Sequence, residues 1–175
     1  MVTYPSIFDD SMPYGPAGAV GTLERWTIGA VTGRVVRETV DDRSQEFPRT
    51  DPRVACHQHR FGYTVEAPNT DSAPNFGTIL KQDFSTGERV AAALPGGAAA
   101  SEAIFVPDSA TSGEDEGWLV ATIYRPETDT SDVVVIDAQT MGGPVATIAL
   151  PYRVPFGFHG AWIPAPRSGA ARAGP

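Results

Sequence analysis

Three side chains in this sequence have types and spacings suited to chemistry: Glu46 in "QEFPR", Glu102 in "SEAIFVP" and His159 in "RVPFGFHGAWIP". On its own, a histidine in a mostly apolar run reads as a buried core residue, a catalytic base or a metal ligand. A glutamate that accepts one ring N–H fixes the tautomer and makes the other nitrogen a better donor to a metal. The intervals are regular. Glu102 follows Glu46 by 56 residues, and His159 follows Glu102 by 57. Glu102 and His159 each precede a proline by five positions, Pro107 and Pro164, whereas the match at Glu46 is looser.

A second register points to the elements that must carry these residues. "WTIGAVTGRV", "LKQDFSTGERV" and "VIDAQTMGGPV" each read as a strand, a turn with Thr and Gly, and a Val that opens a return strand. Their threonines, Thr32, Thr86 and Thr140, are 54 residues apart both times. Short runs rich in Val, Ile, Thr and aromatics, bounded by Gly, Pro, Asp or Ser, predict strands. They cover Gly21–Ile28, Arg34–Val40, Phe61–Glu66, Thr78–Gln82, Val90–Leu94, Ala103–Val106, Trp118–Tyr124, Val133–Asp137 and Val145–Leu150. No run keeps a 3.6-residue apolar period long enough for a substantial helix. A repeat near 50 residues with about four strands is the signature of β-propeller blades. The reading is all-β, with Glu46, Glu102 and His159 at equivalent places facing one axis. The competing reading is chance similarity among ordinary hairpins.

The bulk numbers narrow the function. With a net charge of −8 and no cluster of Lys or Arg, the chain does not suit nucleic acid or an anionic membrane. No stretch is apolar for the ~18 residues of a membrane span. The start, "MVTYPSIFDD", has no signal-peptide pattern and reads as strand and loop. Cys56 is the single cysteine, so there is no internal disulfide; a cytoplasmic location is expected. Residues 165–175, small and polar, are expected to be a disordered tail.

Other clusters compete with the main one. "CHQH", Cys56–His59, places two histidines on one face of a strand, but a fourth ligand at metal-site spacing is missing. Cys56 reads as a buried or idle thiol. Glu114–Glu116, between two glycines, reads as a solvated hairpin turn rather than a calcium loop. Phe156, Phe158 and Trp162 read equally as core packing or as a channel wall. Nucleotide-binding loops, a nucleophile elbow and a zinc-protease helix have no matching motif.

"RVPFGFHGAW" resembles the C-terminal signature of the carotenoid cleavage oxygenases, a group that includes lignostilbene and apocarotenoid oxygenases. "DRSQEFPRTDPR", "SEAIFVP" with "GEDEGWLV", and "VVVIDAQ" agree with that family in order, as do "LERWTIG" and "HRFGY". The resemblance runs from about Tyr4 to Pro164. It implies a seven-bladed β-propeller with ferrous iron held on its axis by four histidines, some of them hydrogen-bonded to glutamates. Carried over, His159 is the last iron ligand, and Glu46 and Glu102 are two of the supporting glutamates. Residues 1–164 are then expected to be the C-terminal part, about three closing blades of an incomplete propeller, without the other three histidines. The implied reaction is oxidative cleavage of a conjugated C=C bond in a carotenoid, apocarotenoid or stilbene by O2. The implied partners are that apolar substrate and an upstream fragment of the same enzyme. The isolated chain is expected to be inactive. The rival expectation is an inactive propeller remnant that serves as a binding module.

Overall fold

The computed structural model describes residues 1–3, 21–67, 76–155, 157 and 159–165. Among these residues there is no α-helix, only a 3-10 turn at Pro52–Val54. The strands are β1 (Val2–Thr3), β2 (Thr22–Ile28), β3 (Val35–Asp41), β4 (Gln45–Arg49), β5 (Phe61–Glu66), β6 (Ile79–Asp83), β7 (Arg89–Ala91), β8 (Ala99–Ala100), β9 (Ile104–Pro107), β10 (Gly117–Arg125), β11 (Thr130–Asp137) and β12 (Ala146–Ala149). They form three antiparallel sheets. The first is β1-β2-β3 and the middle one is β4-β5-β6-β7. In the last, β8 and β9 both pair with β10, which continues to β11 and β12.

Every predicted strand run overlaps an observed strand. β4 and β8 had no such signal: β4 carries Pro48, and β8 is two alanines. Proline is tolerated in β4 because it is an edge strand, where a ladder N–H can be absent.

The middle sheet explains the packing. β5 and β6 are buried on both faces, so alternate residues serve different neighbours. Phe61, Tyr63, Val65 and Ile79 pack with Phe105, Leu119, Ile123, Val134 and Ile136 of the last sheet in one core. Tyr63 stacks on Phe105 with ring centroids 5.7 Å apart. The opposite face is polar at its contact with the first sheet. Gln82 Nε2 donates to Asp41 at 2.9 Å, and Arg89 Nε lies 3.5 Å from the same carboxylate. Within the middle sheet, Thr64 Oγ1 donates to Gln45 Oε1 at 2.8 Å. Burial pushes the Asp41 carboxyl up, but the Arg43 fork and the amides of Gln82 and Gln45 outweigh it and hold it well below the usual carboxylate range.

The 54-residue register is present in the backbone. Gly33, Gly87 and Met141 donate N–H to Gly29, Asp83 and Asp137 four residues earlier, at 2.8, 2.8 and 2.9 Å. All three have positive φ, at 66°, 77° and 51°. Each turn joins the last two strands of its sheet. Met141 accepts a conformation that glycine adopts freely, and its side chain is buried in the core.

The acidic turn is not merely solvated, contrary to expectation. Glu114 Oε1 accepts N–H from Arg60 and Phe61, both at 2.7 Å, and Asp115 pairs with the buried Lys81 at 2.7 Å. The two backbone donors open β5, and Lys81 lies inside the interface, so the carboxylates fasten the last sheet to the middle one.

Tyr63 supplies a test of this core. Its hydroxyl is buried with no hydrogen-bond partner among the described residues, and burial, with nearby carboxylates, raises its pKa. Tyr63→Phe should change unfolding free energy by less than about 1 kcal/mol. Tyr63→Ala should cost about 3–5 kcal/mol in a urea titration, as for other large aromatics.

Candidate metal-ligand site

The site begins with an irregularity in β4. Glu46 lies opposite Val65 and Arg49 opposite Tyr63, so three residues of β4 span two of β5. In a regular strand, residues three apart point to opposite faces. The bulge inserts one residue and returns Glu46 and Arg49 to the same face. Phe47 takes the strain, with φ 54° and a buried ring 5.0 Å from Phe76.

Glu102 lies between β8 and β9, and its side chain is 5% exposed. Four donors converge on it. Arg49 Nε reaches Oε1 at 2.6 Å and Arg49 Nη2 reaches Oε2 at 2.8 Å. Gly160 N–H donates to Oε2 at 2.8 Å, and His159 Nδ1 lies 3.1 Å from Oε1. Burial pushes the Glu102 pKa up, but the Arg49 guanidinium, the Gly160 N–H and His159 outweigh it. The carboxyl therefore stays below its ordinary 4.5 and is ionised near neutrality. An ionised carboxylate can only accept, so Nδ1 of a neutral His159 carries the proton and Nε2 presents its lone pair. The His159 side chain is 71% exposed, and its ring also stands edge-on to Phe47 at 6.0 Å.

Glu46 is half-buried. Desolvation raises its pKa, partly offset by the Phe47 N–H that it accepts and by the nearby His159. The structure thus gathers Glu46, Glu102 and His159, and Glu102 is the one hydrogen-bonded to the histidine. A cleft of about 240 Å³ opens beside them, lined in part by Ser101, Ile104, Val154 and Gly160.

The remaining candidates fall elsewhere. Trp162 is 54% exposed and so is not core packing, while Phe156 and Phe158 lie outside the described residues. Gly160 packs close to β9, where a Cβ would sit 2.8 Å from Ile104 Cδ1 and displace that side chain; Gly157 has open space. Cys56 is exposed rather than buried, on the connection between β4 and β5, with φ 65°. His59 Nδ1 contacts the His57 carbonyl at 3.2 Å. Among the described residues no three His, Cys, Asp or Glu side chains form a group able to hold a metal. A metal at this place therefore fits His159 as one donor, through Nε2.

Arg49 is the residue that sequence reasoning missed. Its signal was available in "EFPR", a basic residue three places after a candidate carboxylate, but only the bulge makes that spacing meaningful.

Glu102 also sets a pH dependence. Its folded-state pKa is depressed, so its stabilisation is present above 4.5 and is lost as pH falls through the folded value. Glu102→Gln should flatten the acid limb of a stability–pH curve, and the slope that remains should come from groups such as Asp41. An unchanged acid limb would contradict the assignment.

Comparison with known proteins identifies the family. The retinal pigment epithelial membrane protein family (RPE65) matches residues 3–164. A carotenoid cleavage oxygenase of Mycobacterium tuberculosis is 38% identical over 169 residues, covering 94% of this chain and 33% of that protein. The apocarotenoid-15,15'-oxygenase of Synechocystis is 32% identical, covering 81% and 29%. A lignostilbene-alpha,beta-dioxygenase of Sphingomonas paucimobilis is 29% identical, covering 87% and 34%. A mutant of the Synechocystis apocarotenoid oxygenase superposes with TM-score 0.82 and 28% identity, over 94% of this chain and 36% of that one. The cobalt-substituted form of the same enzyme gives 0.76 and 31%, over 84% and 31%. This chain spans about a third of the length of these relatives. On these matches the chain belongs to the RPE65 family of carotenoid cleavage oxygenases and has its propeller-type fold.

Proposed function

We propose that this chain is the C-terminal portion of a non-haem iron dioxygenase that cleaves a conjugated C=C bond of a carotenoid, apocarotenoid or stilbene. Residues 1–164 would form about three closing blades of a seven-bladed propeller. The observation that carries the proposal is the His159–Glu102 pair, in which Nδ1 faces the carboxylate and Nε2 is left to present its lone pair. His159 would be one of four histidine ligands. Glu102 fixes its tautomer and raises its basicity, and Glu46 supports a second ligand histidine outside this sequence. Ferrous iron, when bound, would supply the redox centre at which O2 is used. Phe156, Phe158 and Trp162 would wall the channel to an apolar substrate.

One histidine does not hold iron tightly, and this favours a second reading for the chain by itself: a propeller portion without catalysis of its own. The two readings separate experimentally. The chain as purified should hold far less than one iron by elemental analysis and should not turn over an apocarotenal. One iron per chain with cleavage would overturn that expectation. Joined behind the first two-thirds of the Mycobacterium relative in place of its last third, the chain should bind one iron and cleave. His159→Ala in that chimera should lower iron occupancy at least about tenfold, since loss of even a ligand's hydrogen-bond partner costs about 10–100-fold in metal affinity. A folded chimera without iron, or one indifferent to His159→Ala, would refute the enzymatic reading.

A further inference from the structure

We infer that Arg49 is a positioning residue for His159, which it aims through Glu102 and the Gly160 carbonyl without touching the ring. The inference rests on the proposal that His159 is a metal ligand. Arg49 makes three contacts at once. Its Nε and Nη2 take both carboxylate oxygens at 2.6 and 2.8 Å, and Nη2 also donates to Gly160 O at 3.0 Å. Gly160 N–H returns to Glu102 Oε2 at 2.8 Å, which closes a ring of contacts around the residue next to the histidine.

The geometry leaves little else to aim the imidazole. His159 is in no strand, its side chain is 71% exposed, and its described contacts are Glu102 and the edge of Phe47. Glu102 is likewise oriented by Arg49 and one backbone N–H. A planar fork fixes the rotation of a carboxylate, whereas a single point donor does not. Remove the fork, and Oε1 is no longer held where Nδ1–H needs it. The Gly160 carbonyl loses its tether in the same step. The bulge in β4 is what lets an arginine three residues beyond Glu46 reach this place.

The test uses the metal-free chain, labelled with 15N, at about pH 8.5, where ordinary imidazole is neutral. Long-range 1H–15N correlation reports the ring tautomer, with His159→Gln assigning the signal. Wild-type His159 should be predominantly the Nδ1–H tautomer. Arg49→Gln should shift the ratio of Nδ1–H to Nε2–H by about tenfold toward Nε2–H, the size expected when a charge-assisted hydrogen bond is lost. Arg49→Lys keeps the charge without the fork and should fall between the two. It also decides the question if the glutamine variant does not fold. A role confined to stability would lower the melting temperature and leave the tautomer ratio of the folded protein unchanged, and that result overturns the inference. Because no iron is involved, a chimera that fails to bind metal would refute the proposed enzyme and leave this measurement standing.

Discussion

A charged carboxylate kept from water must be paired, and at Glu102 that requirement organises the site. An unpaired buried carboxylate costs several kcal/mol, so its partners have to arrive together. With the carboxylate itself on the link between β8 and β9, they come from two distant parts of the chain, the end of β4 and the segment after β12. None of these segments has strong structure of its own. Arg49 ends an edge strand, and His159 and Gly160 lie in no regular element. Their shared anion joins them, and the exposed imidazole inherits its direction from that anion.

The sheets below the site are joined by two different chemistries. The middle and last sheets share a dry core of aromatic and branched side chains, closed at its rim by Glu114 and Asp115. The first and middle sheets meet through Asp41, which faces Gln82 and Arg89. A dry interface tolerates small shifts of volume, whereas a hydrogen-bonded one demands fixed register. One face of the first sheet, with Trp26, Ile28 and Val35, and the β12 edge, with Val145 and Ile148, remain exposed.

Much of this was legible in the sequence because strands announce themselves through local pattern. The turns of Thr32, Thr86 and Thr140 share one backbone geometry, so their spacing reported a real repeat. Glu102 and His159 were identifiable by register, and they do meet. What was hidden depends on contacts between distant residues. The acidic turn looked solvated because nothing local to Glu114 shows that Arg60 and Phe61 bring it two backbone donors. Arg49 was hidden for another reason: alternation assigns it to the face opposite Glu46, and a bulge is not written in composition.

That bulge has a consequence for how the chain can vary in length. From Glu46 to Arg49 the strand advances three positions while its partner advances two, so an odd interval behaves as an even one. Loss of a single residue there would restore perfect pairing and still leave the arginine opposite Tyr63, on the face of Glu46. Regular pairing at the present length would instead set it opposite Gly62 and turn the guanidinium to the far side of the sheet. Straightening β4, rather than shortening it, is what disarms the site, and the positive-φ backbone of Phe47 keeps the two faces in step.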